Sequence, residues 1–352
     1  VAFTAVLGCL PLLVLLAVAG SYYAWMGWTY YQQHRGEYTG TSFITSEPLV
    51  GYGARPNAAM QHTVAPLFNV YSDARGCRED QADQPAPSAV DILAVGCSFT
   101  FGFGVDNPDT YVQRLADGLD QRVCNAAVPA YGTTAAELSV DRFGDLAPKV
   151  IVYGFIGTHE TRNLLPCATT NEPFCRSVAF VDLRSGTPSI VPPSPPSAAD
   201  SRYLTDTLTA HDFGWRDVYW AWMRDWYRLT GRDTSAINAP YEAQAADPAM
   251  REQSVGYLLD QLADKSAALG ARLVVVYMPI PGDVHPMPDS LAAALARHPE
   301  VDVVDTTSAF QSYEAEHGRQ SLRVSATDAH PNAAAHALIA EAAEPVVAAA
   351  LR

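Results

Sequence analysis

The chain has 352 residues, of which 48% are hydrophobic and 17% charged. That is enough apolar material for one large domain or two modest ones, and it excludes an intrinsically unfolded chain. Acidic side chains outnumber basic ones 38 to 23, for a formal charge of −15, which argues against nucleic acid or an anionic lipid surface as the main partner.

Residues 1–20 carry no charge and are apolar over a length that spans a bilayer, and Pro11 is tolerated in lipid. Tyr22, Tyr23, Trp25, Trp28, Tyr30 and Tyr31 follow at once, as an aromatic belt does at a membrane interface. We read residues 1–28 as a single transmembrane anchor in a bacterial inner membrane, with the remainder periplasmic or extracellular. A cleaved signal peptide and a buried soluble helix are the alternatives. The first residue is Val1, so further residues are expected before it.

Residues 29–89 read as a connector with short strands around Leu49-Val50-Gly51-Tyr52-Gly53 and Phe68-Asn69-Val70-Tyr71-Ser72, then a surface linker from Gln81 to Pro87. Next, residues 90–95 form a β-branched apolar run, as a strand buried on both faces does. It breaks at Gly96, with Ser98 two residues later and Thr100, Gly102 and Gly104 beyond. A serine at the carboxyl tip of a central strand sits where open α/β sheets place their chemistry.

A helix with an Asp109/Thr110 cap, a strand from Val123, a helix from Thr134 and a strand over residues 149–155 follow. Residues 164–250 read as an insertion. Four tryptophans and two tyrosines crowd its segment from Phe213 to Tyr227, giving either an aromatic-rich core helix or a face for a partner or a membrane. A helix over residues 254–269 and strands over 271–279 and 301–305 continue the alternation. Near the end stand Asp328 and His330, two apart, before an alanine-rich helix. Strands alternating with helices from residue 90 predict a three-layer α/β/α sandwich with a mostly parallel sheet.

A serine needs a base to take its proton, and an imidazole needs a carboxylate to fix its tautomer; Ser98, His330 and Asp328 supply the three types. The serine stretch resembles the Gly-Asp-Ser-x-Thr-x-Gly block of the SGNH (GDSL-type) hydrolases, and the Asp328-Ala329-His330-Pro331-Asn332 stretch resembles their final Asp-x-His-x-Asn block. That resemblance implies an anchored ester hydrolase or O-acyltransferase, with acylated envelope glycans as substrate. It also implies an oxyanion donor at Gly132. The family's Gly-x-Asn-Asp third block is altered here: Thr158 and His159 stand about where Asn-Asp would be, leaving Asn163 or His159 as the substitute donor.

The second reading is a non-catalytic subunit of a larger membrane complex, respiratory or photosynthetic, held by the anchor and the aromatic patch. Cys167 and Cys175 are the first disulfide candidates and Cys77 with Cys124 the second; Cys9 and Cys97 read as buried free thiols. His285 and His298 read as surface residues. Without a Cys-x-x-Cys pair or zinc-type spacing, neither metal nor cofactor is expected.

Overall fold

A helix without a single Asp, Glu, Lys or Arg leads the chain. In the computed structural model, which describes residues 2–34, 38–63, 66–168, 174–195 and 210–352, it is α1 (Ala2–His34), about 50 Å long at the usual rise. Its stretch Pro11–Gln32 has mean hydropathy 1.3, is 6% buried and is long and apolar enough to cross a membrane.

The segment read as a connector folds into two small antiparallel sheets. Strands β1 (Tyr38–Gly40), β2 (Ile44–Glu47), β3 (Gly51–Ala54), β4 (Ala59–His62), β5 (Phe68–Ser72) and β6 (Arg78–Glu79) pair as β1-β4-β5-β6 and β2-β3. Phe43, Tyr52, Met60, Phe68 and Val70 from these strands and turns join one continuous core with the main domain. Sequence-local reading missed this because apolar positions alternate over only three to five residues per strand here.

The main sheet is built from β7 (Ile92–Gly96), β8 (Val123–Asn125) and β9 (Val150–Phe155), then β12 (Arg272–Tyr277) and β13 (Asp302–Asp305). A hairpin of β10 (Phe180–Asp182) and β11 (Ser189–Val191) lies between β9 and β12 in the chain. All neighbours in the order β13-β12-β9-β7-β8 run parallel.

Because strand side chains alternate, each strand feeds two cores. Ile92, Ala94, Val152, Val274 and Val276 pack on one side against α3 (Tyr111–Leu119) and the C-terminal helix. Leu93, Val95, Ile151, Tyr153 and Val275 pack on the other against α4 (Thr133–Phe143) and a long helix starting at Pro248. Each fully buried aliphatic or aromatic side chain contributes about 1.5–3 kcal/mol. The architecture is therefore the expected three-layer α/β/α sandwich.

Two helices are shorter than a site proper but matter to it: α2 (Ser98–Phe101) and α5 (His159–Arg162). The aromatic segment of the insertion is α6 (Trp215–Leu229). The predicted helix at 254–269 is longer, α7 (Pro248–Ala268), because Asp247 caps it by accepting from Ala249 N. Then come α8 (Asp289–Ala296), α9 (Thr307–His317) and α10 (Ala333–Ala350). Helix α10 matches α1 in mean hydropathy, 1.3, but is 33% buried and packs on the sheet.

Both candidate disulfides are present, Cys77–Cys124 and Cys167–Cys175, with Cα separations of 5.1 and 5.2 Å. Cys97 is a buried free thiol, and the Cys9 side chain lies outside the described residues. His298 corrects the surface reading: its ring is mostly buried, bonded to Asp260 at 2.7 Å and to Glu300 at 2.8 Å. His285 stays exposed.

Candidate active site

Strand β7 is buried along its whole length and delivers Ser98 through a sharp turn. Gly96 has φ +152°, and a Cβ there would meet Thr100 Oγ1 at 2.5 Å and the Gly154 carbonyl at 2.9 Å, so only glycine fits. Cys97 is extended and Ser98 opens α2, whose carbonyl at Ser98 accepts from Gly102 N and Phe103 N at 3.0 and 2.9 Å. At Gly104 (φ +96°) a side chain would strike Val324, so the serine loop and the loop carrying His330 lie in van der Waals contact.

That second loop is closed on itself. Val324 N donates to the His330 carbonyl at 2.9 Å, and Ser325 Oγ accepts from Asp328 N at 3.1 Å. Asn332 holds its far end: Oδ1 caps α10 by accepting from Ala334 N and Ala335 N, and Nδ2 donates back to the Ser321 and Arg323 carbonyls.

The two loops bring together side chains 232 residues apart: His330 Nε2 lies 2.8 Å from Ser98 Oγ. Asp328 Oδ1 is 2.6 Å from His330 Nδ1 and also accepts from His330 N at 3.0 Å. Burial pushes the Asp328 carboxyl up, but the His330 hydrogen bonds and the Arg323 charge outweigh it and hold it below the ordinary carboxylate value. An ionised Asp328 fixes the imidazole proton on Nδ1 and leaves Nε2 as acceptor for the serine hydroxyl. Phe99 and Phe103 flank the imidazole at ring distances of 5.6 and 4.9 Å. The His330 and Asp328 side chains remain 28% and 29% exposed, so the group is open to a substrate.

The loop after β9 behaves differently, and it corrects the two substitute donors. His159 is fully buried; its Nδ1 meets Tyr153 Oη at 2.8 Å, and its ring packs against Tyr153 and Phe155. Burial, aided by the Arg162 charge, drives this imidazole well below its ordinary value, so it stays neutral in the core. Tyr153 Oη donates to Thr133 Oγ1, which in turn accepts from Asn163 Nδ2 at 3.0 Å. Asn163 Oδ1 accepts from Thr133 N at 2.6 Å and caps α4. Asn163 and the Nδ1 of His159 are thus spent on one buried chain that pins the start of α4, while His159 Nε2 is buried without a hydrogen-bond partner.

Gly132 is the N-cap of that helix, and a Cβ on it would lie 2.7 Å from Asn163 Oδ1. The same buried chain therefore sets its position.

Two cations at this site carried no signal in a residue-by-residue reading. Arg162 Nη1 donates to the Tyr131 carbonyl at 3.2 Å, and its charge acts against the burial that raises the thiol of Cys97, the residue before the serine. Arg78 is completely buried beneath the serine turn. It donates to the carbonyls of Phe101, Gly102 and Val105, and to Asn69 at 3.3 Å, while stacking on the Phe101 ring. Desolvation pulls its guanidinium down to about 9 against the raising charges of Asp106 and Asp80. Its neighbour Cys77 is bonded to Cys124 within β8, so a covalent link ties the chain at β6 to the main sheet. Among the described residues, no group of three His, Cys, Asp or Glu side chains is placed to hold a metal ion.

A serine at the tip of β7, with its base and carboxylate on the loop before the last helix of a parallel α/β sandwich, is the arrangement the two sequence blocks imply. The fold is the parallel three-layer α/β/α sandwich that the resemblance implies. No family model matches the chain, and no curated protein matches it. Among solved structures it is similar to an alpha/beta hydrolase enzyme from the metagenome of Lake Arreo, Spain, at 14% identity and TM-score 0.40, over 76% of this chain and 98% of that one. It is also similar to TesA, at 15% identity and TM-score 0.35, over 72% and 96% of the two chains. A GDSL-like lipase from Bacteroides thetaiotaomicron is similar at 8% identity and TM-score 0.34, over 73% and 86%.

Proposed function

We propose that this protein is a serine ester hydrolase or O-acyltransferase, anchored to a bacterial inner membrane by α1 with its domain on the periplasmic side. The observation that carries the reading is the unbroken Ser98–His330–Asp328 contact. Ser98 Oγ attacks an acyl carbonyl while His330 Nε2 takes its proton, and Asp328 stabilises the resulting imidazolium. The acyl group stays on Ser98 as His330 returns the proton to the departing alcohol. Water or a second hydroxyl, deprotonated by His330, then releases it.

Positive potential near the developing oxyanion comes from Arg162, beside Cys97, with the backbone at Ser98 and Gly132 as donors. O-acylated envelope glycans are the substrate class the family resemblance suggests. Two disulfides support an oxidising compartment for the domain. The non-catalytic reading gains no support from a site whose three side chains are in bonding contact.

The test is labelling of the detergent-solubilised full chain with a fluorophosphonate. Labelling in the wild type and its loss in Ser98→Ala is the expected result; equal labelling of both proteins would overturn the assignment.

A further inference from the structure

The insertion carries a face that the active site does not use. Along α6, Trp215, Tyr219, Trp222, Trp226 and Leu229 recur at intervals of four and three, which sets them on one side of the helix. All five are exposed, Trp215 by 87% and Leu229 by 83%. The opposite side is core: Trp220, Ala221, Met223 and Tyr227 are buried in a cluster with Phe174 and with Tyr30 of α1.

The two helices touch closely. A Cβ on Gly27 would come within 2.9 Å of Val218, Arg224 reaches Met26 Sδ, and Phe213 packs edge-on to Trp28 at 5.3 Å. Helix α6 therefore crosses α1 at residues 26–31, the end of the apolar stretch Pro11–Gln32. There α1 has its own exposed rings, Tyr22, Trp25 and Trp28.

We infer that α6 is an interfacial helix, its aromatic stripe seated among the lipid headgroups around the point where α1 leaves the bilayer. The inference rests on the reading of α1 as a membrane span. Its occupant is set by continuity: the stripe adjoins the end of the apolar stretch, and the side chains it presents are mainly indoles and a phenol. Such rings bury an apolar body and keep a polar edge wet, which is what a headgroup layer offers. Arg228 in the last turn of α6 and Arg232 just beyond it, both exposed and off the aromatic stripe itself, supply lipid phosphates with cations on a chain that is otherwise strongly acidic. The opposite face, committed to Tyr30 and Trp220, fixes how the helix is rolled.

The experiment reconstitutes the full chain in phosphatidylcholine vesicles, with and without bromine near the glycerol end of the acyl chains, and reads tryptophan emission. The chain has six tryptophans. The variant Trp215→Phe/Trp222→Phe/Trp226→Phe keeps Trp25 and Trp28 on α1 and the buried Trp220. The bromolipid-quenched emission is expected to fall by about half in this variant. Equal quenched emission in both proteins overturns the inference. Acrylamide quenching of the three residues would then put the face in water, and protection from both quenchers would put a protein on it.

Flotation of the protein with vesicles reports α1 separately. A chain that floats without the quenching difference loses the interfacial helix and keeps the anchor, whereas a chain that does not float loses both. The single substitutions Trp222→Phe and Trp226→Phe give the same reading, each in proportion, should the triple variant fail to fold.

Discussion

Two loops leave the carboxyl ends of adjacent parallel strands, β7 and β9, and they have opposite fates. The first presents Ser98 to an imidazole that is itself partly open to solvent. The second turns His159 and Asn163 inward, where they complete a chain through Tyr153 and Thr133. Both loops hold residue types suited to acyl-transfer chemistry. What separates them is whether the polar groups face the core or the cleft. A side chain enclosed in the core is closed to a substrate whatever it bonds, and one with a bond left facing outward is available to it.

The comparison breaks first at Ser98. Ser98→Ala is expected to abolish fluorophosphonate labelling and esterase activity while leaving the melting temperature within a few degrees, because the side chain is small and its bond faces the cleft; labelling that persists would put the chemistry elsewhere. Next in size is Asp328→Asn. It preserves the shape but frees the wrong imidazole tautomer, so kcat on a model acyl ester should fall roughly a thousand- to ten-thousand-fold.

The second loop gives the opposite pattern. Asn163→Ala removes the cap of α4, leaves Thr133 N without its partner and takes one of the two donors from Thr133 Oγ1, costing roughly 1–3 kcal/mol in denaturant unfolding. The kcat of the folded fraction should change only several-fold; a large kcat loss at unchanged stability would restore Asn163 as a direct oxyanion donor.

The smallest effect sits at Glu79, next to Arg78 under the serine turn. Burial, then the charges of Asp73 and Asp80, push this carboxyl up to about 7. The folded state therefore holds a proton that the unfolded chain releases nearer its ordinary value. The stability this gives is fully present below that ordinary value and is lost as pH rises through about 7. Glu79→Gln should match the wild type at pH near 4 and exceed it at pH near 8. With the group half exposed, screening reduces the gain to roughly 1 kcal/mol, a shift of a few degrees in Tm.

Much of the first loop was legible in the sequence, because its demands are local. A β-branched run, a glycine at the break and a serine two residues on specify the turn, and the Asp-x-His spacing specifies the partner loop. Their meeting across 232 residues was readable only through the resemblance to a known pair of blocks. The second loop was misread because His159 and Asn163 take their roles from Tyr153 and Thr133, contacts no spacing rule announces. Arg78 was invisible for the same reason: four backbone carbonyls from Asn69 to Val105 converge on it only once the N-terminal strands have folded against the sandwich. Asn332 did carry a signal, an asparagine directly before an alanine-rich run, the usual sign of a helix start.

Tyr30 has a consequence for reach. A catalytic body on a slack tether sweeps a volume set by the tether's length and can meet substrates at many heights. Here the last turns of α1 are wedged into the aromatic cluster with Trp220 and Phe174, so mast and body move as one piece. Under the proposed anchoring, Ser98 would be held at a single altitude above the lipid, and acyl groups outside that shell would have to be carried to it.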